Sequence, residues 1–272
     1  MMGAILGDII GSRYEHRNIK FKEFPLFSMR CSMTDDSIMT LAVADALLQS
    51  REDRSDLGKT AVRSMQELGC QFPDCGFGGH FRQWLQNRDP QPYGSWGNGA
   101  AMRVSPCGWA GSSPEEVKAL SKAVTEVSHN HPEGIKGAEA AAMAVYLART
   151  GSSKSEIREY TEKHYYALNF TLEEIRDSYT FDVSCQGSVP QAIEAFLEST
   201  DFEDAVRGAV SLGGDSDTIA AITGGIAEAY YGIPDHLRAI GLTYFEADNL
   251  KEILTAFEEK YPPVPERCRE DA

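Results

Sequence analysis

Acidic and hydroxyl side chains are concentrated at two points of the sequence, each directly before an apolar helical pattern. Residues 34–36 read TDD and precede IMTLAVADALL, and residues 215–218 read DSDT and precede IAAITGGI. These oxygen donors, with no thiolate beside them, are the ligands that Mg²⁺, Mn²⁺ or Ca²⁺ prefer. If the two segments meet, their four carboxylates repel one another unless cations offset the charge. A site with two metal ions is then the simplest arrangement.

Each segment taken alone also has a purely structural interpretation. Thr34 or Asp35 can cap the helix that follows, and carboxylates in a first turn favour the positive end of the helix dipole. One carboxylate or hydroxyl per helix is enough for capping, so the surplus at both starts favours the metal hypothesis. That hypothesis requires the two starts to converge in space, which is a question of tertiary structure.

A glycine-rich loop, GSWGNG at residues 94–99, precedes an apolar helix predicted over 100–109. Backbone amides in such a loop can bind a phosphate or diphosphate at the start of a helix. The pattern is not the GxGxxG that follows a strand in dinucleotide-binding folds, so a Rossmann domain is not predicted. His129 and His131 invite a metal interpretation, but the sequence offers no third soft ligand near them, which favours capping and packing.

Helical periodicity dominates the chain, and these helices must position the side chains described above. Gly3, Gly7 and Gly11 recur every fourth residue in the first helix, a spacing that lets another backbone approach closely. Sustained alternation and hairpin turns, the signals of strands, are nearly lacking. The sequence therefore predicts an all-α fold, a compact single-domain bundle of about a dozen helices over 1–272 with a loose tail at 262–272. The predicted helices cover residues 2–13, 38–48, 55–69, 79–87, 100–109, 113–127, 133–149, 153–164, 171–178, 188–199, 202–212, 216–231, 234–240 and 245–260.

Composition narrows the class of protein. The 272 residues carry a formal net charge of −15, which disfavours extended binding to nucleic acid or to an anionic membrane. No apolar run reaches the length of a membrane span, and the N-terminal segment has Asp8 but no basic region, so we expect neither a span nor a signal peptide. Six scattered cysteines without a CxxC pair predict reduced thiols and a cytoplasmic protein.

Five motifs carry a resemblance to a known family. GDIIGSRYE, MTDDS, GSWGNGAAMRV, the SH of VSHNHPEGIKGA, and SLGGDSDTIAAITGGIAEAYYG occur in that order between residues 3 and 232. Together they resemble the ADP-ribosylglycohydrolases, which include the dinitrogenase-reductase-activating glycohydrolase and the vertebrate ADP-ribosylhydrolases, and the similarity is greatest to the ADP-ribosylhydrolase 3 type. The resemblance implies a compact all-α fold with two divalent cations, Mg²⁺ or Mn²⁺.

Carried over to this sequence, the resemblance assigns roles to individual residues. Glu15 would be a movable acid above the metals, and Asp36 or Glu15 would act as acid or base, in either order. Asp217 is the best candidate to bridge both ions. The metal ligands would be Thr34, Asp35, Asp36, Asp215, Asp217 and Thr218. The diphosphate pocket would be lined by Gly94, Ser95 and Trp96, with Gly97 and Asn98 completing the turn and His129 near the phosphates or the distal ribose.

Two positions depart from the pattern of the family. Trp96 stands where close relatives often carry Tyr, which keeps the stacking area and removes the hydroxyl. Ser37 stands where many members have Thr. All positions expected to bind metal are retained, which argues against a degenerate pseudoenzyme.

The expected function is metal-dependent hydrolysis of the glycosidic bond between ADP-ribose and an acceptor, releasing ADP-ribose. The substrate would be an ADP-ribosylated protein or O-acetyl-ADP-ribose, and the protein is expected to be a monomer. The alternatives are an ADP-ribose reader or pseudoenzyme without turnover, a structural protein of the same fold, and a dinuclear phosphohydrolase that would release AMP. The sequence leaves the acceptor open.

Overall fold

The computed structural model describes residues 1–265, and in this part of the chain it contains fourteen α-helices, two short 3₁₀ helices and no β-strand. The prediction of an all-α bundle is confirmed. The 3₁₀ helices are Asn98–Ala100 and Leu242–Tyr244. The α-helices are α1 (Met2–Ser12), α2 (Asp35–Gln49), α3 (Leu57–Gln71), α4 (Gly79–Gln86), α5 (Ser105–Ala110), α6 (Pro114–Thr125), α7 (Pro132–Thr150), α8 (Lys154–His164), α9 (Leu172–Arg176), α10 (Cys185–Leu197), α11 (Phe202–Ser211), α12 (Ser216–Tyr231), α13 (Asp235–Gly241) and α14 (Asp248–Lys260).

The largest departure from the predicted helices follows the glycine-rich loop. A single helix was expected over 100–109, whereas the chain forms a 3₁₀ turn and begins α5 only at Ser105. Pro106 lacks the N–H that would bond to the carbonyl of Met102 in a continuous helix. That carbonyl instead accepts a hydrogen bond from the Thr40 hydroxyl at 3.3 Å, which ties the segment to α2.

The first helix lies directly against α12 along its glycine stripe. A Cβ added at Gly3 would lie 2.3 Å from the carbonyl oxygen of Gly224, and one at Gly7 would lie 1.9 Å from that of Ala220. One at Gly11 would lie 2.5 Å from the Cα of Asp217. The close approach predicted from the glycine spacing is therefore confirmed, and it brings the end of α1 to the start of α12.

α1 also contacts α2, so the centre of the fold is a buried helix with the two Asp-rich helices beside it. Residues Met2 to Gly11 of α1 are all buried. Because both neighbours begin at the same end of this packing unit, their N-termini are brought together.

Two further sequence predictions concern cysteines and membranes. The cysteines within residues 1–265 are free thiols, namely Cys31, Cys70, Cys75, Cys107 and Cys185. Cys268 and most of the predicted loose tail fall outside the described residues. No helix in the described part of the chain is both long and apolar enough to cross a bilayer.

Candidate active site

The two Asp-rich helix starts converge on one cavity of about 480 Å³. Carboxylate oxygens of Asp8, Asp36 and Asp217 lie within 4.8 Å of one another, and so do those of Glu15, Asp215 and Asp217. Asp217 therefore belongs to both clusters. The predicted ligand and acid residues that line the cavity are Glu15, Thr34, Asp35, Asp36, Asp215, Asp217 and Thr218.

Capping accounts for only one of the side chains at the start of α2. Thr34 is the N-cap, and its hydroxyl accepts a hydrogen bond from the amide of Asp36 at 3.3 Å. Oδ1 of Asp36 is buried and has no hydrogen-bond partner among the described residues. Asp35 lies against Gly76, where an added Cβ would be 2.8 Å from Asp35 Oδ1. Asp35 and Asp36 are therefore not needed to cap α2.

Asp8 is a site residue that the sequence analysis did not identify. It is fully buried in α1 and accepts hydrogen bonds from the amide and hydroxyl of Thr34 at 2.9 and 2.7 Å. It also accepts from the amide of Ser37 at 3.1 Å and from the Ser37 hydroxyl. The available signal was a single charged residue in an otherwise apolar helix. Because its oxygens are occupied by the start of α2, Asp8 positions that helix.

The start of α12 is reached through a glycine turn. Gly213 and Gly214 have φ values of 65° and 70°, which residues with a side chain adopt at a cost. Asn18 holds this turn from the other side: its amide donates to the carbonyl of Gly214 at 2.9 Å and its Oδ1 accepts from the amide of Gly214 at 2.8 Å. The Asn18 amide also lies 3.0 Å from the carbonyl of Glu15, so one side chain links the Glu15 segment to Asp215.

The electrostatics of the cavity are dominated by negative charge. Burial, followed by the charges of Asp36, Asp215 and other acids, raises the pKa of Asp217 well above its usual value. Burial is also the main cause that raises the pKa of Asp35 to about 7 and that of Asp8 to about 6. The pKa values of Asp36, Asp215 and Glu15 are raised for the same reason. A dense group of buried carboxylates is stabilised in its ionised form by cations.

The donor set fits hard divalent cations. It consists of carboxylate and hydroxyl oxygens, and Asp36 supplies a buried oxygen that has no hydrogen-bond partner in the described part of the protein. The six charged or hydroxyl residues predicted as ligands all line the same cavity, which is what binding of a cation pair requires.

The glycine-rich loop lines the cavity only in part. Ser95, Gly97, Asn98 and His129 line it, whereas Gly94 and Trp96 are not among its lining residues. Trp96 is 52% exposed and packs against the ring of His131 at 5.3 Å between centroids. The backbone carbonyl of Trp96 accepts a hydrogen bond from the amide of Cys185 at 3.0 Å.

Asn98 connects the loop to the acidic clusters. Its amide nitrogen donates to Asp215 at 2.7 Å and lies 3.1 Å from the hydroxyl of Ser188. Its backbone amide donates to the carbonyl of Val183 at 2.7 Å. The side chain of Asn98 therefore orients a carboxylate, and the loop contributes backbone and the Ser95 hydroxyl to the cavity.

Several other lining residues were not identified from the sequence, among them Arg103, Phe181 and Val183. Arg103 is fully buried although it lies in the quoted GSWGNGAAMRV motif, and its only signal was a basic residue within an apolar segment. Phe181 and Val183 are 50% and 56% exposed at the cavity edge. Their exposed apolar surface gives this edge a different character from the acidic side, and a loop position in the sequence gave no indication of it.

Comparisons with known proteins concern the family and the fold. Residues 1–262 match a family model described as ADP-ribosylglycohydrolase. ADP-ribosylhydrolase ARH3 of Bos taurus is 28% identical over 93% of this chain and 90% of its own length, and the Homo sapiens protein is 28% identical over 93% and 91%. ADP-ribosylarginine hydrolase Tri1 of Pseudomonas putida (strain GB-1) is 25% identical over 86% of this chain and 70% of its own. A solved structure titled "ADP-ribosylglycohydrolase-related protein complex" has a TM-score of 0.71 at 23% identity over 95% of each chain, which shows the shared fold.

Proposed function

Because the chain belongs to the ADP-ribosylglycohydrolase family, we propose that it hydrolyses the glycosidic bond between ADP-ribose and an acceptor and releases ADP-ribose. The observation that carries the proposal is the convergence of two acidic helix starts and part of a glycine-rich loop on one cavity. Such a cavity offers carboxylates for chemistry at a ribose carbon, and its Ser95 hydroxyl and His129 ring offer polar groups for a diphosphate.

We infer that the cavity binds two divalent cations, Mg²⁺ or Mn²⁺. The membership of Asp217 in both carboxylate clusters and the unpartnered oxygen of Asp36 support this inference. When bound, such ions hold ribose hydroxyls and lower the pKa of a coordinated water molecule. The proposed ligands are Thr34, Asp35, Asp36, Asp215, Asp217 and Thr218.

Carboxylate side chains of this protein would donate and accept the protons that the reaction requires. Cleavage at the anomeric carbon develops oxocarbenium character, so it needs a proton for the leaving group or a base for the attacking water. Glu15 is partly buried, its pKa is raised mainly by burial, and its carboxylate belongs to the cluster of Asp215 and Asp217. These properties suit proton transfer, and Asp36, whose pKa is raised by burial and by neighbouring acids, is the second candidate.

Substrate orientation would come from lining residues other than the acids. Ser95, Gly97 and the His129 ring are proposed to receive the diphosphate, and the apolar edge of Phe181 and Val183 offers surface for the base. Gly94 and Trp96 are assigned no direct contact, because they do not line the cavity.

The relatives suggest chemical classes of acceptor rather than one molecule. They are named ADP-ribosylhydrolases and, in the case of Tri1, an ADP-ribosylarginine hydrolase. We propose an ADP-ribosylated protein or O-acetyl-ADP-ribose as substrate. We also propose that the protein is a monomer and is cytoplasmic, as expected from the sequence.

The test is an assay of product release with three substrates: serine-linked and arginine-linked ADP-ribosyl peptides and O-acetyl-ADP-ribose. Purified protein with Mg²⁺ should release intact ADP-ribose from at least one of them, and D217N or chelation should abolish release. A fully active D217N variant, or full turnover in the presence of a chelator, would contradict the metal-dependent mechanism. Release of AMP would indicate phosphohydrolysis, and ADP-ribose binding without any product would indicate a reader.

A further inference from the structure

The guanidinium of Arg103 is buried beside the cavity without a carboxylate partner among the described residues. Burial lowers its pKa to about 10, and the groups that oppose this effect are Tyr93, Cys107 and Cys185. The guanidinium lies over the ring of Phe81, with 5.4 Å between Cζ of Arg103 and the ring centroid. Burying a cation costs free energy when few opposite charges and hydrogen bonds compensate it.

The main polar contact of Arg103 begins a short chain of hydrogen bonds. Nη2 donates to the hydroxyl oxygen of Ser128 at 2.8 Å and approaches the carbonyl of Val124 at 3.3 Å. The Ser128 hydroxyl in turn lies 2.8 Å from Nδ1 of His129. Both Ser128 and His129 are buried, so water does not compete freely for these contacts.

The positions of the protons along these hydrogen bonds follow from which atoms can donate and which can accept. Arginine has no acceptor atom, so the Ser128 oxygen must accept from Arg103. The hydroxyl proton of Ser128 then has Nδ1 of His129 as its acceptor among the described contacts. A nitrogen that accepts carries no proton, which leaves the proton of the neutral imidazole on Nε2.

Nε2 of His129 faces the glycine-rich loop. A Cβ built on Gly99 would lie 3.3 Å from this nitrogen, and one built on Gly97 would lie 3.8 Å from it. The absence of side chains at these two positions leaves room beside the N–H. Burial, and after it the charge of Arg103, lowers the pKa of His129 well below its usual value, so the ring is neutral.

We propose that Arg103 and Ser128 are positioning residues that hold His129 in the tautomer protonated at Nε2, so that this N–H donates to the diphosphate of ADP-ribose. The diphosphate part of this inference rests on the proposed function, whereas the tautomer does not. The proposed diphosphate-binding region would therefore have a neutral N–H donor in a fixed position, with the buried positive charge of Arg103 behind it. The arrangement also gives a reason for burying an arginine that no carboxylate within residues 1–265 compensates.

The tautomer can be measured directly by NMR of the full protein labelled with ¹⁵N-histidine, with H129Q used to assign the resonances. At neutral pH, Nδ1 of His129 should have the chemical shift of a non-protonated nitrogen and Nε2 that of a protonated one. A protonated Nδ1 in the wild type would overturn the proposal.

The role of Arg103 is tested by R103M and R103K. In R103M no guanidinium donates to the Ser128 oxygen to orient its hydroxyl proton towards Nδ1. The second tautomer, in which a protonated Nδ1 donates to that oxygen, should therefore become populated, and the Nδ1 resonance should move towards the protonated shift. R103K keeps a donor and should restore the wild-type spectrum. ADP-ribose affinity, measured by calorimetry, should fall about three- to tenfold in R103M, the effect of weakening one hydrogen bond. An R103M protein with the wild-type tautomer would refute the role of Arg103.

Two serine variants complete the design. S128A removes the hydroxyl that links Arg103 to His129, and it should shift the Nδ1 resonance even if R103M fails to fold. An unchanged resonance would contradict the proposal. S121A is the matched control, because Ser121 is also fully buried and its hydroxyl has no hydrogen-bond partner among the described residues. Its spectrum and affinity should equal those of the wild type. A protein with the expected tautomer and ADP-ribose affinity that hydrolyses no substrate would contradict the proposed function and leave the positioning role standing.

Discussion

Replacing Gly7 by alanine tests whether the approach of α1 to α12 builds the site. The added Cβ would lie 1.9 Å from the carbonyl oxygen of Ala220 and 2.4 Å from its carbonyl carbon, against an ordinary contact of 3.4 Å or more. Both clashing atoms are backbone, so rotation of a side chain cannot relieve them. The two helices must separate by about 1.5 Å, a forced repacking of the kind that destabilises cores.

The size of the effect follows from two opposing contributions. Overpacking a buried contact costs about 1–3 kcal/mol or more, and the severity of this clash places it at the upper end. Alanine regains about 1 kcal/mol of helix propensity relative to glycine. The net loss should be about 2 kcal/mol, which corresponds to a fall in Tm of roughly 4–8 °C for a chain of this size.

Urea unfolding and hydrolysis should both report the change. G7A should lose stability, and its activity should fall more than tenfold because Asp8 on α1 and Asp217 on α12 move apart. The matched control is G58A in α3, where an added Cβ would make an ordinary 3.5 Å contact with the carbonyl oxygen of Ala123. That variant should be unchanged or slightly more stable. A G7A protein with wild-type stability and activity would refute the argument that this contact sets the site.

Two other measurements probe the cavity. Thermal unfolding with and without Mg²⁺ or Mn²⁺ should show a higher Tm with the ion, because a cation at about 100 times its Kd adds about 2.7 kcal/mol, and this increment should vanish in D217N. Identical melting curves with and without ions would count against the cation pair. The stability of the wild type should fall more steeply than that of H129Q below pH 6.5, because the unfolded histidine gains a proton that the buried His129, with its lowered pKa, does not. The difference should approach about 1.4 kcal/mol per pH unit, and parallel curves would show that His129 is not held neutral.

The helices and their caps could be predicted because they depend on neighbours in sequence. Thr34 caps α2, as one of the two expected residues, and Ser113 caps the helix that begins at Pro114. The one clear failure, the helix expected over 100–109, also has a local cause in Pro106, whose effect was underestimated. The family resemblance rested on motifs of the same short range, and it is confirmed over residues 1–262.

The residues that were missed depend on partners far away in sequence. Asp8 is a single acid in an apolar helix until its contacts with Thr34 and Ser37 are known. Arg103 is likewise a lone base until Ser128 is placed beside it. The placement of Trp96 likewise depends on tertiary structure, since its side chain is exposed and does not line the cavity although its loop does.

The helical class, the oxygen-rich chemistry of two helix starts and the family follow from the order of the amino acids. The meeting of the two starts, with Asp217 in both carboxylate clusters, is visible only in three dimensions. Periodicity and capping act within a few residues, whereas convergence depends on the packing of α1 against α12. That packing brings together segments about two hundred residues apart, through backbone contacts that the glycines of α1 permit.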